Sequence, residues 1–133
     1  MENEVATFDQ SVELCKLGFN ETTFCAYESE TRQFYLCHLD EEGFFMPEKD
    51  IKAPLKQQVF KYLRDKFGVI SIVEPYFEPS SKYSGYGFGI MKDSIVEYSD
   101  EEWDTFEEAE NACIDKVISI LKEQNPRKSQ TIL

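Results

Sequence analysis

The segment Pro54–Gly68, PLKQQVFKYLRDKFG, does most to limit what this chain can become. Proline suits the first turn of a helix, where its missing N–H has no partner to lose, and a glycine just past the end suits a left-handed stop. Between them Leu55, Val59, Tyr62, Leu63 and Phe67 recur at helical spacing, which predicts a helix to Lys66 or Phe67 with one apolar face. Such a face must be buried against a second layer. The chain continues as VISIVEPYF, a β-branched and aromatic run that reads as a strand. Its Pro75 implies a sheet edge or a bulge toward the strand's end. EPSSKYSG then reads as a turn and YGFGIMK as a returning strand, so the second layer is an antiparallel sheet.

The other elements fit the same plan. TFDQSVELCKLGF predicts a short first helix, with Thr7 and Gln10 at capping-box spacing, Gly18 as its stop and Phe8, Val12, Cys15 and Leu17 as a rough apolar face. TTFCAYES and QFYLCHL predict a hairpin. Alternation in its second strand puts Phe34, Leu36 and His38 on one face and Tyr35, Cys37 and Leu39 on the other. Residues 40–53 carry Gly, Pro and mixed charge and read as a loop, and DSIVEYSDEEWD as a short strand or a loop. A long helix follows from about Thr105 to Lys122. Thr105 and Glu108 are its capping box, and Phe106, Ala109, Cys113, Val117, Ile120 and Leu121 are its core stripe. The expected class is α+β: a single-layer, mostly antiparallel sheet of about four to five strands with two main helices packed on it, in the order α-β-β-α-β-β-(β)-α. Residues 1–125 are expected to form one domain and 126–133 a short flexible tail.

Composition excludes several functions. A formal net charge of −12 argues against a surface built to grip phosphate backbones. MENEVATFDQ lacks the apolar region of a signal peptide, and no apolar run reaches bilayer-spanning length, so a cytoplasmic protein without membrane contact is expected. Cys15, Cys25, Cys37 and Cys113 form no C-x-x-C pair and are expected to be reduced, small core hydrophobes. His38 is the only histidine, which rules out a metal site of several histidines. Neither a P-loop nor G-x-G-x-x-G occurs. The one nucleophile–base combination the hairpin offers is Cys25 with His38, on one face in the preferred register. No enzyme, metal or cofactor is therefore expected.

The run YSGYGFGIMK, Tyr83–Lys92, poses a sharper question. Ser84 to Met91 resembles the RNP1 signature of RNA-recognition motifs, and FYLCHL, Phe34–Leu39, resembles their RNP2 signature. That resemblance implies that Tyr35, Tyr86 and Phe88 project from one sheet face and stack the bases of single-stranded nucleic acid. The run departs from the signatures at Ser84, Gly89 and His38. The alternative is that glycines alternate with Tyr86 and Phe88 because the strand must approach other chain segments closely. KLGFNETTFCAYES, APLKQQVFKYLRDKFGV and TFEEAENACIDKVISIL together resemble a family of small uncharacterised proteins of gut Bacteroidetes and their phages and mobile elements. That resemblance spans roughly residues 12–123 and implies a mobile-element accessory protein, with no catalytic residue.

Charge is unevenly placed. Asp93 to Asp115 holds ten acidic residues and no basic one, while Lys49 to Lys66 holds six basic and two acidic residues. Acids in the first turn of the last helix complement its positive end, but Asp93, Glu97, Asp100, Glu101 and Glu102 precede that turn. The sequence thus points to an acidic patch, Asp100, Glu101 and Glu102 with Trp103 as apolar anchor, that docks on a protein with a basic surface.

Overall fold

The computed structural model describes residues 2–77 and 83–124. Among them are three α-helices, α1 Phe8–Lys16, α2 Lys56–Phe67 and α3 Phe106–Gln124, with a 3-10 turn at Glu2–Glu4 before α1. The strands are β1 Cys25–Tyr27, β2 Phe34–Leu36, β3 His38–Asp40, β4 Gly43–Phe45, β5 Ile51–Ala53, β6 Ile70–Phe77, β7 Tyr83–Lys92 and β8 Ile95–Tyr98. All their pairings are antiparallel, and the class is α+β.

The local signals at helix ends act as expected. The Thr7 hydroxyl accepts from the Gln10 N–H at 3.1 Å and the Gln10 carboxamide accepts from the Thr7 N–H at 3.0 Å, which closes the capping box of α1. Gly18, at φ +97°, donates to the Cys15 carbonyl at 3.0 Å and Phe19 to the Leu14 carbonyl at 2.9 Å. That left-handed stop satisfies the last carbonyls of the helix. Gly68 ends α2 in the same backbone region at φ +70°.

The buried face of α1 differs from the expected one. Gln10, Ser11 and Leu14 are buried and Cys15 is exposed. The Gln10 carboxamide donates to the Asn111 carbonyl at 3.2 Å and to Asp115 Oδ1 at 3.0 Å, so a polar contact to α3 rotates the helix and turns Cys15 outward. The other three cysteines are buried, and all four are free thiols. Burial pushes the Cys113 thiol up to about 12 and raises those of Cys25 and Cys37.

The single sheet layer is not formed. The strands divide into β2-β1-β5, β3-β4 and β6-β7-β8. The predicted hairpin exists as β1–β2, but its second strand stops at Cys37, whose N–H donates to the Phe24 carbonyl at 2.7 Å. β3 then turns away to pair β4. Residues 40–53, read as a loop, contain β4 and β5; each has three residues, too few to display a two-residue period. Of the turn read over EPSSKYSG, residues 83–85 belong to β7, while 78–82 and the tail at 126–133 lie outside the described residues.

Two apolar clusters hold these pieces. The principal core joins Leu14, Val59, Leu63, Phe88, Ile90, Ile114, Val117 and Leu121 between the helices and one face of β6-β7-β8. A satellite core of Val5, Cys25, Tyr27 and Ala53, capped by Phe8 and Phe34, lies against β2-β1-β5. Pro75 sits on the edge strand β6 opposite Tyr86, whose backbone bonds go to Trp103, so its missing N–H costs no ladder bond; a register shift follows between Tyr76 and Phe77.

Candidate interaction surface

The glycines of β7 are explained by what lies over them. A Cβ on Gly85 would meet the Trp103 carbonyl oxygen at 2.9 Å, because the chain returning after β8 bridges back onto β7 there. Tyr86 and Trp103 exchange two backbone hydrogen bonds, each 2.8 Å. A Cβ on Gly87 would run into the ring of Tyr76, and one on Gly89 would lie 3.2 Å from the ring of Tyr98. Tyr76 and Tyr98 come from the flanking strands and cover the outward side of β7, where the glycines leave room for them.

The aromatics of the same strand point the other way. Tyr86 and Phe88 do share one face, but α3 and the 99–105 segment cover it. Phe88 is 6% exposed and stacks on Trp103 with centroids 5.6 Å apart, and Tyr86 meets Phe106 edge-on at 5.8 Å. Tyr35 belongs to β2, in a different sheet, and its hydroxyl donates to Asp50 at 2.5 Å. Burial, then that bond and the Asp50 charge, raise its pKa. The three residues are therefore not brought onto one platform, because their strands never share a sheet. Cys25 and His38 also part company, Cys25 buried in β1 and His38 exposed in β3. Among the described residues no three of His, Cys, Asp or Glu converge in a way that could hold a metal ion.

The acidic segment is presented on a fixed support. Trp103 is half-buried against Phe88, so its ring anchors the segment to this protein's own core instead of projecting as a contact. Asp100, Glu101 and Glu102 stand exposed just before it. Elsewhere in the acidic run, Asp93 pairs with Lys92 at 3.1 Å, Glu97 with Lys116 at 3.6 Å and Glu110 with Lys56 at 3.8 Å. The three acids at 100–102 have no such partner among the described residues. A groove of about 310 Å³ runs beside them, lined by Glu97, Tyr98, Ser99, Asp100, Glu101, Trp103 and Lys116 above Phe88.

Two features escaped the sequence reading. Lys56 is buried at the start of α2, and its ammonium faces Glu110 of α3. Burial raises the Glu110 carboxyl, partly opposed by that ammonium. The outward face of β6-β7-β8 also carries an apolar groove of about 320 Å³ along Ile70, Ile72, Met91, Val96 and Tyr98. Ile72 is 56% exposed, Val96 49% and Tyr98 65%. The alternation of Ile70 with Ile72 and of Val96 with Tyr98 was the available signal, but periodicity does not say which face lacks a cover.

Fold and surface define a small α+β protein of net charge −12 with an exposed acidic segment held against its sheet. No protein-family model, curated protein or solved structure matches the chain. Among the described residues no helix is long and apolar enough to cross a membrane.

Proposed function

We propose that this chain is a non-enzymatic interaction module of the cytoplasm, an accessory protein of a phage or mobile element, that docks through Asp100, Glu101 and Glu102 on a protein with a basic surface. One observation carries the reading: three adjacent acids without internal counter-charge are held in place by the paired Tyr86–Trp103 bonds at 2.8 Å. Like charges side by side repel, and these three lie ahead of the helix turn whose dipole would compensate them. A basic partner would offset that repulsion and would meet the surface faster through long-range attraction. The bridge keeps the acids from spreading into solvent, so less ordering remains to oppose docking.

The test is the variant D100N/E101Q/E102Q. It should fold with unchanged or slightly raised thermal stability, and nuclease-treated host lysate should lose its captured basic protein. Capture by the variant equal to that of the unaltered chain would end the proposal.

A further inference from the structure

We propose that the open edge of β8 takes up an extended segment of the partner as an added strand, in which Lys or Arg alternates with apolar residues. This deepens the acidic docking reading and rests on it.

The Ser99 N–H donates to the Phe88 carbonyl at 2.9 Å, and antiparallel pairs alternate between bonded and non-bonded. Counting along the register, Glu97 and Ile95 exchange bonds with Ile90 and Lys92, while Val96 and Tyr98 turn their N–H and C=O groups to the outer edge. Among the described residues nothing pairs with that edge. All four residues of β8 are exposed, and the strand has neither the proline, the lysine nor the bulge that commonly protects an edge.

The side chains then specify the occupant. β8 separates two grooves of opposite character: the apolar one at Ile72, Met91 and Val96, and the acidic one at Glu97, Asp100 and Glu101. A strand added about 4.8 Å away sends successive side chains to opposite faces. One set would lie over the apolar groove and the other over the acids. Lys116 already meets Glu97 at 3.6 Å, which leaves Asp100 and Glu101 to be answered by the newcomer. A second copy of this chain fits poorly, since pairing β8 with itself would align the acidic flanks of two molecules of net charge −12.

The experiment uses the isotope-labelled full chain and an eight-residue peptide alternating lysine and valine. Its controls are the same peptide N-methylated on every residue, which blocks both of its edges, and a lysine–glycine–serine peptide of equal charge. The lysine–valine peptide should slow amide exchange at Val96 and Tyr98 and bind at least tenfold tighter than either control. Val96→Pro, which removes an outward N–H and no ladder bond, should fold and lose the same tenfold. Equal binding of the N-methylated peptide, or no protection at those two amides, overturns the strand-addition proposal. If the lysine–glycine–serine peptide binds as tightly as lysine–valine and D100N/E101Q/E102Q abolishes both, strand addition is wrong while acidic docking stands. If that triple variant binds lysine–valine undiminished, acidic docking itself is wrong. Protection that grows with protein concentration in the absence of peptide assigns the edge to a second copy and overturns the proposal.

Discussion

The sheets β2-β1-β5 and β6-β7-β8 each have three strands, yet they are held in different ways. The first is made of three-residue strands and leans on four buried residues, Val5, Cys25, Tyr27 and Ala53. The second has strands of eight, ten and four residues and shares the principal core with α3. Ladder bonds and apolar cover both scale with strand length, so the second sheet can leave one face and one edge uncovered and still stand. In the first, Phe8 and Arg32 close over the small core, the guanidinium 4.7 Å from the ring. The sheet whose other face is well packed can therefore carry an exposed binding surface.

Truncation of the two cores is the most forceful way to break this comparison. Val117→Ala, at a fully buried site of the principal core, should cost about 2.5–3 kcal/mol, as deletion of buried aliphatic groups does. Val5→Ala in the satellite core should cost about 1.5–2 kcal/mol. Urea denaturation measures both, and equal losses would show the two sheets to be equally supported. Amides of β1 should also exchange at lower opening free energy than those of β7.

The glycines of β7 sharpen the account of the stronger sheet. Gly85→Ala meets the Trp103 carbonyl and must hold φ +146°, so about 2–3 kcal/mol should be lost. Gly87→Ala meets only the outer ring atoms of Tyr76, which can swing away, and about 1 kcal/mol is expected. Thermal melts that reverse this order would remove the bridging segment from the explanation.

Alkaline pH loads both cores through their buried thiols and phenols. Burial raises Cys113 from 9.0 to about 12 and Tyr27 from 10.0 to about 12. A group with a raised folded pKa gives its full stabilisation below its unfolded pKa and loses it as pH climbs to the folded one. Stability should therefore fall from about pH 9 through Cys113, with Cys25 and Cys37 contributing, and steepen from about pH 10 as Tyr27 and Tyr35 join. Cys113→Ala should make the slope from pH 9 shallower in melts between pH 8 and 11, and Tyr27→Phe only the part above pH 10.

The smallest effect concerns the β7–β8 turn. Asp93 and Ser94 hold φ of +53° and +67°, the backbone of a two-residue turn that favours Asn-Gly. The double change to Asn-Gly should add about 0.5–1 kcal/mol by relieving Ser94. No gain would mean that Lys92–Asp93 pairing at 3.1 Å already compensates the strain.

What the sequence by itself determined lies within a few residues of each signal. Thr7 with Gln10, Gly18, Gly68 and the stripe of α2 all act through hydrogen bonds and faces closed inside one helix, so local spacing suffices. β6 and β7 were legible because each is long enough to show its period, and the acidic run because charge needs no partner to be read. Tertiary structure alone decided the rest. Gln10 is buried because it reaches Asp115, 105 residues away, and Cys15 is exposed for the same reason. Tyr35 is separated from Tyr86 and Phe88 because β2 pairs β1 and never meets β7. The glycines of β7 match Tyr76, Tyr98 and Trp103, which no local pattern names. Which strand finds which neighbour depends on the apolar area buried by the whole arrangement, and that quantity has no value until the chain is folded.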